Sequence, residues 1–174
     1  MTRLQALNPE TPTGKTKELF TAITANLGMV PNMMRTMGNS SAVLDGYLSL
    51  SGALGKGTIG AKTGELIAMA VAQSNQCDYC LSAHTYIGEK LAGLDTDSIT
   101  AARDGNAGND KTTAALQFAK TVIAKKGLVN DADVNAVKAA GYTDGEVGEI
   151  IAHVALNVFT NYFNNSANTE IDFP

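Results

Sequence analysis

The sequence has no apolar stretch approaching the ~20 residues that a membrane-spanning helix requires. Residues 1–5 lack the hydrophobic segment of a secretory signal peptide. The sequence has no long run of residues with the same charge. It contains 13 Lys and Arg and 17 Asp and Glu, which gives a net charge of −4. Lysine pairs such as Lys125–Lys126 are isolated, so nothing indicates a nucleic-acid surface. We therefore expect a cytoplasmic protein with no membrane or nucleic-acid partner.

The chain also lacks the polar–apolar alternation that is typical of β-strands. Alanine is abundant instead, and apolar residues recur at intervals of three and four, as in amphipathic helices. A length of 174 residues fits one domain with a sizeable core, and 44% apolar with 17% charged residues is ordinary for a globular protein. The sequence predicts an all-α fold with an irregular arm over residues 1–14 and a single helical domain over residues 15–174.

Glycine, proline and capping residues mark the expected helix ends. Gly28 should end the first helix, and Pro31 should begin the next. Thr143 and Glu146 have the spacing of a capping box before the last helix, and Asn75 is expected to cap the helix that follows it. The predicted helices cover residues 13–27, 32–38, 40–54, 60–74, 76–92, 97–104, 110–126, 131–139 and 144–165.

A weak internal repeat appears when the sequence is shifted by 84 residues. Residues 64–68 then fall on residues 148–152, and five identities occur over positions 65–84. The reactive residues of the first half fall on asparagines in the second: Cys77 on Asn161, Cys80 on Asn164 and His84 on Asn168. We interpret this pattern as two related helical halves, of which only the first retains redox residues.

Both cysteines and one of the two histidines lie within eight consecutive positions. In a helix, Cys77 and Cys80 are i,i+3 neighbours while Cys80 and His84 are i,i+4 neighbours, so all three share one face. The i,i+3 distance of roughly 5–6 Å is within reach of a disulfide. In the expected compartment, such a pair favours a catalytic, redox-sensing or metal-binding role over a permanent crosslink. The cluster indicates a reversible dithiol with a base beside it.

Thiolate chemistry suggests how these residues could cooperate. A free cysteine has a pKa of about 8.5, and the first turn of a helix favours the anion. His84 can accept the proton of Cys80. Glu65 is the natural fourth member, but along an unbroken helix it would point ~120° away from Cys77. It can join the cluster only if a helix break at 74–76 lets the next helix fold back.

Other interpretations stay open. The cysteines could be small buried hydrophobes, or Cys-x-x-Cys-x-x-x-His could supply three zinc ligands, although no second cluster offers a fourth. Tyr79 is either a packing aromatic or a residue whose hydroxyl reaches a substrate or Glu65. His153 lies on an apolar helix face and is expected to be a core or interface histidine.

The spacing Glu65-x11-Cys77-x2-Cys80-x3-His84 resembles the alkylhydroperoxidase D (AhpD)-like group of the carboxymuconolactone decarboxylase superfamily. Residues 27–32 are similar to the Leu-Gly-x-x-Pro-Asn turn of its peroxidase-related branch, and residues 161–174 to that branch's C-terminal ending. The resemblance covers about residues 15–174. It implies an AhpD-like helical fold in a homo-oligomer, either a trimer or a hexamer.

The resemblance also implies a hydroperoxide reductase with a redox-active Cys77–Cys80 disulfide and no other cofactor. Cys80 would be the peroxidatic thiol, Cys77 the proton donor and resolving thiol, and Glu65 and His84 the proton relay. An external thiol reductant, thioredoxin-like or a lipoyl carrier, would reopen the disulfide. The best-known members have a histidine where this chain has Tyr79, so its part in the relay is open.

Two alternative functions remain. A redox-partner or sensor protein with little peroxide turnover would need the same dithiol. A decarboxylase or lactone-type lyase would use Glu65 and His84 as acid and base, with the cysteines incidental. The sequence identifies neither the peroxide nor the reductant.

Overall fold

The computed structural model describes residues 1–173, and every regular element within them is an α-helix. The predicted all-α fold is therefore confirmed, and the helix ends differ from the predicted ones by at most two residues. The helices are α1 (Gly14–Leu27), α2 (Asn32–Met37), α3 (Ser41–Leu54), α4 (Gly60–Ser74), α5 (Asp78–Lys90), α6 (Thr96–Arg103), α7 (Asp110–Ala124), α8 (Asp131–Ala139) and α9 (Asp144–Ala167). None of them is long and apolar enough to cross a membrane.

Most of the predicted caps form. Gly28 ends α1 with a left-handed φ of 77°, and Thr143 with Glu146 closes a capping box at the start of α9. The prediction for Asn75 is wrong, because this residue is the C-cap of α4. The N-cap of α5 is Cys77, whose Sγ accepts a hydrogen bond from the Cys80 backbone N–H at 3.2 Å. The cysteine sulfur thus takes the place that the sequence assigned to an amide oxygen.

Helix α4 is the centre of the fold. Its residues 66–72 are all buried, and it packs against α5, α6, α7 and α9. Three of these seven residues are alanines, which let neighbouring helices approach closely. Glu65 lies immediately before the buried run and is therefore placed at the edge of the core.

The core has two parts. The larger one joins α4 to α6–α9, and the smaller one joins α1–α3 to the segment that carries both cysteines. The N-terminal arm lies against this smaller part, since Leu7 packs on it and Leu7 N–H donates to the Arg35 carbonyl of α2. Arg3 N–H donates to the Ala167 carbonyl at the end of α9. The division into an arm and one domain stays a prediction, and Pro174 of the C-terminal resemblance lies outside the described residues.

The two segments related by the 84-residue shift differ in one respect. Residues 60–90 form two helices separated by a turn at 75–77, whereas residues 144–167 form one uninterrupted helix. The positions equivalent to the turn, 159–161, lie in the middle of α9. The interpretation as two related halves therefore stays a prediction, and the turn belongs to the cysteine-bearing segment alone.

Candidate active site

The two cysteines are joined in a disulfide at the beginning of α5, with a Cα–Cα distance of 5.2 Å. Cys77 is fully buried and Cys80 is 3% exposed. The turn before them contains Gln76 in the left-handed region, with φ of 51°, and it reverses the chain between α4 and α5. This reversal brings α5 back along α4.

The same reversal brings Glu65 and His84 together. Glu65 Oε2 lies 2.8 Å from His84 Nδ1, and the two side chains are 21% and 19% exposed. Burial lowers the pKa of His84, but the Glu65 charge and hydrogen bonds with Glu65 and Asn157 outweigh it and raise that pKa. The environment therefore favours the imidazolium, a form that can donate a proton.

Tyr79 does not face this pair. Its hydroxyl accepts a hydrogen bond from Met33 N–H at 3.1 Å and donates one to Asp172 Oδ1 at 3.0 Å. Asp172 Oδ2 also accepts from Asn32 N–H at 2.7 Å. Of the alternatives left open for Tyr79, contact with Glu65 is not the one the structure shows, because α2 and the C-terminal segment hold the hydroxyl. Burial raises the pKa of Tyr79, so the phenol remains protonated.

We expect Tyr79→Phe to lower the free energy of unfolding by about 1–3 kcal/mol, because it leaves a buried N–H donor of α2 and one Asp172 oxygen without their partner. Urea denaturation measures the change. Tyr86→Phe is the matched control, since Tyr86 packs on the same Phe173 ring as Tyr79 but is more exposed. Equal losses of unfolding free energy in the two variants would show that the hydrogen bond from Met33 N–H to the Tyr79 hydroxyl contributes nothing to stability.

Helix α9 supplies functional candidates that the sequence analysis missed. Asn164 Nδ2 lies 3.4 Å from Cys80 Sγ. The Asn157 side chain donates to the His153 carbonyl at 2.9 Å and helps to raise the pKa of His84. A signal for them was present. Four polar residues with spacing i, i+3, i+4 and i+7 are at most 5% exposed: Asn157, Thr160, Asn161 and Asn164. A polar stripe on an otherwise apolar helix face indicates contact with other polar groups.

A cavity of about 600 Å³ adjoins the cysteines. Cys80, Glu65 and His84 line it, whereas Cys77 does not. The rest of its wall is mostly apolar and aromatic, with contributions from Leu27, Met29, Met33, Met34, Tyr47, Leu54, Tyr79, Tyr86, Ile87, Leu91, Leu156 and Phe173. The geometry therefore offers one sulfur of the pair, together with an acid–base pair, to an apolar ligand.

His153 also lines the cavity, next to Gly64, where a Cβ would lie 2.8 Å from the imidazole Cε1. It was expected in the core or an interface, and the structure places it half-buried at the cavity wall. Burial lowers the pKa of His153, which favours the neutral imidazole. The same cavity is therefore lined by His84, whose surroundings favour the imidazolium, and by His153, whose surroundings favour the neutral imidazole.

The zinc interpretation finds no support in the geometry. Within residues 1–173, no group of three or more His, Cys, Asp or Glu side chains is placed to hold a metal ion. The two sulfurs are bonded to each other, and His84 directs Nδ1 at Glu65.

The chain has an AhpD-like helical fold in which a helix-terminal Cys-x-x-Cys lies beside a Glu–His pair. The fold matches an uncharacterised peroxidase-related protein from Silicibacter sp. TM1040, with a TM-score of 0.85, 22% identity and coverage of 97% of this chain and 91% of the other. It also matches the AhpD core of an uncharacterised peroxidase-related protein from Ralstonia eutropha JMP134, with a TM-score of 0.88, 22% identity and coverage of 98% and 92%.

Residues 41–122 match the model of the carboxymuconolactone decarboxylase family. This region contains Glu65, both cysteines and His84, and the resemblance stated from the sequence is confirmed. A third similar structure is the debrominase Bmp8, as a cysteine-to-alanine variant in complex with 2,3,4-tribromopyrrole; the TM-score is 0.80, the identity 20% and the coverage 99% and 92%. No curated protein sequence matches the chain.

Proposed function

We propose that this protein is a thiol-dependent hydroperoxide reductase in which Cys80 is the attacking thiol. The observation that carries the proposal is access: Cys80 lines the cavity together with Glu65 and His84, and Cys77 lies behind it, fully buried. A sulfur that meets the substrate and a second sulfur within bonding distance are what a dithiol cycle needs.

The cycle has three steps. The Cys80 thiolate attacks the terminal oxygen of the hydroperoxide, the O–O bond breaks, and the leaving alkoxide takes a proton from the Glu65–His84 pair, which yields an alcohol and a sulfenic acid. The Cys77 thiol then displaces water from the sulfenic acid and forms the disulfide. An external dithiol transfers two electrons and two protons to reopen it. The raised pKa of His84 suits the first step, because the imidazolium is the proton donor.

Several features accompany this proposal. The reductant is a thioredoxin-like protein or a lipoyl carrier, and the redox-active disulfide serves without a metal or an organic cofactor. The protein acts in the cytoplasm as a homo-oligomer, a trimer or hexamer. Apolar side chains that are 40% to 59% exposed support association: Leu50, Ile151, Phe159 and Tyr162.

Reductive dehalogenation is a second candidate, favoured by the likeness to Bmp8 and by the large apolar cavity beside the dithiol. The stoichiometry would be one aryl bromide and two thiols giving the arene, hydrogen bromide and the disulfide. Both reactions leave the same oxidised protein. They differ in the substrate that oxidises it and in the second product.

The deciding experiment is stopped-flow oxidation of the fully reduced protein. Hydrogen peroxide, an alkyl hydroperoxide, a lipid hydroperoxide and 2,3,4-tribromopyrrole are compared, and mass spectrometry follows the disulfide between residues 77 and 80. We expect the organic hydroperoxides to react fastest, because the cavity wall is apolar.

Three outcomes would contradict the proposal. Bromide release with slow peroxide reactions would favour dehalogenation. Slow oxidation by every compound, with normal disulfide exchange, would indicate a redox-partner or sensor protein. Lactone or decarboxylase activity that survives replacement of both cysteines would indicate a lyase that uses Glu65 and His84.

A further inference from the structure

Asn164 is a buried polar residue whose amide nitrogen points at sulfur. It is 2% exposed, and Nδ2 lies 3.4 Å from Cys80 Sγ and 3.2 Å from Met33 Sδ. A buried amide costs free energy unless its hydrogen bonds compensate, so a weak thioether acceptor alone is a poor reason for it. The cysteine sulfur is the partner that becomes a strong acceptor, because reduction and deprotonation turn it into an anion.

The chemistry of the neighbours fixes the amide orientation. Both sulfurs are acceptors, so the NH₂ group faces them, and the buried Oδ1 has no partner among the described residues. The opposite orientation would aim an oxygen at two sulfurs and bury an unpartnered donor, which is the rarer and costlier arrangement.

Two other polar groups of this segment, the His84 ring and the Cys80 backbone N–H, already have partners. His84 directs Nδ1 at Glu65 Oε2, which lies 2.8 Å away. The Cys80 backbone N–H donates to Cys77 Sγ, so this helix N–H serves the resolving sulfur instead of the attacking one. Asn164 Nδ2 is a side-chain donor that the structure places on the Cys80 sulfur itself.

We infer that Asn164 is a catalytic residue that donates its amide N–H to the Cys80 thiolate and stabilises the attacking form. The inference deepens the proposed function, because it rests on Cys80 being the nucleophile. It also gives a role to one position of the internal repeat. The asparagine that the 84-residue shift aligns with Cys80 contacts that cysteine across the α5–α9 interface. Asn164 lies outside the family-matched region, residues 41–122.

The test measures thiolate formation without a peroxide. In a Cys77→Ser background, where serine is itself a good N-cap, the alkylation rate of Cys80 by iodoacetamide is followed against pH. We expect Asn164→Leu to move the midpoint of this profile upward by about one pH unit, as a lost hydrogen bond to an anion implies. Asn164→Asp should move it further, because a carboxylate would face the thiolate.

Asn161→Leu is the matched control. Asn161 is a fully buried amide one turn earlier on α9, and it pairs with Asn75 instead of sulfur. We expect the midpoint of its alkylation profile to equal that of the Cys77→Ser protein with no further substitution. Circular dichroism establishes whether each variant is folded. If Asn164→Leu does not fold, the midpoint of Asn164→Asp, which keeps the side-chain shape, is compared instead.

An unchanged midpoint in a folded Asn164 variant, or an equal shift in Asn161→Leu, would overturn the inference. Because iodoacetamide replaces the substrate, the result is separate from the fate of the proposed function. A protein with a shifted midpoint and no peroxide reduction would retain the Asn164 role and lose the peroxidase proposal.

Discussion

Replacing Cys80 with serine should abolish hydroperoxide turnover, with a loss on the order of 10³-fold or more, because the variant has no thiol at the cavity wall. A serine hydroxyl is not ionised at neutral pH and does not accept oxygen from a peroxide. The substitution is nearly isosteric, so the fold and the cavity should persist. Turnover is measured with an organic hydroperoxide and excess small dithiol.

Cys77→Ser is the matched variant, and it should fail differently. Cys77 is fully buried behind Cys80, so its replacement leaves the attacking thiol in place and removes only the thiol that resolves the sulfenic acid. We expect one rapid equivalent of peroxide to be consumed and a sulfenic acid to accumulate on Cys80. Mass spectrometry after a dimedone trap detects this product.

The comparison of the two variants decides which sulfur attacks. A burst in Cys80→Ser and none in Cys77→Ser would reverse the assignment. Such a reversal is chemically conceivable because Cys77 Sγ, at the N-cap, accepts the Cys80 backbone N–H. Access to the cavity is the argument against it, and the burst experiment tests that argument directly.

The fold was predictable because its signals are local. Apolar spacing of three and four residues and caps such as Gly28 and Thr143 act within one or two turns of helix. Asn75 was assigned wrongly because the turn extends to residue 77, and a sulfur can occupy the N-cap as well as an amide can. Which residue becomes the N-cap depends on where the turn ends, and no single residue type determines that position.

The candidate site was only partly predictable. The cysteines and His84 are close in sequence, so helical geometry places them together. Glu65 required the chain reversal at 75–77; the sequence indicated a helix break at 74–76 but not the direction that the next helix would take. The contact between Asn164 and Cys80 spans 84 residues and depends on how α9 packs against α5. Periodicity identifies the buried face of α9, but it cannot tell which cysteine that face will touch.

Glu65→Gln is the second large effect that we expect, with peroxide turnover at neutral pH falling on the order of 100-fold through loss of acid–base catalysis. Glutamine keeps the shape and a hydrogen bond to His84 but removes the charge that raises its pKa. The proton donor then loses its proton at lower pH, so the basic limb of the pH–activity profile should move to lower pH. Glu149→Gln is the control: it removes an equal charge from a carboxylate that binds Ile59 N–H instead of His84.

Stability should report the same ion pair independently of catalysis. Because the folded pKa of His84 is raised, the folded state holds its proton more tightly than the unfolded state does. This contribution is complete below the unfolded value of about 6.5 and is lost as the pH rises through the folded value. The deficit of Glu65→Gln in the free energy of unfolding should therefore be larger at about pH 6 than at about pH 9, as measured by urea denaturation. A deficit that is constant with pH would show that Glu65 does not control the charge of His84, and the proton relay would need another acid.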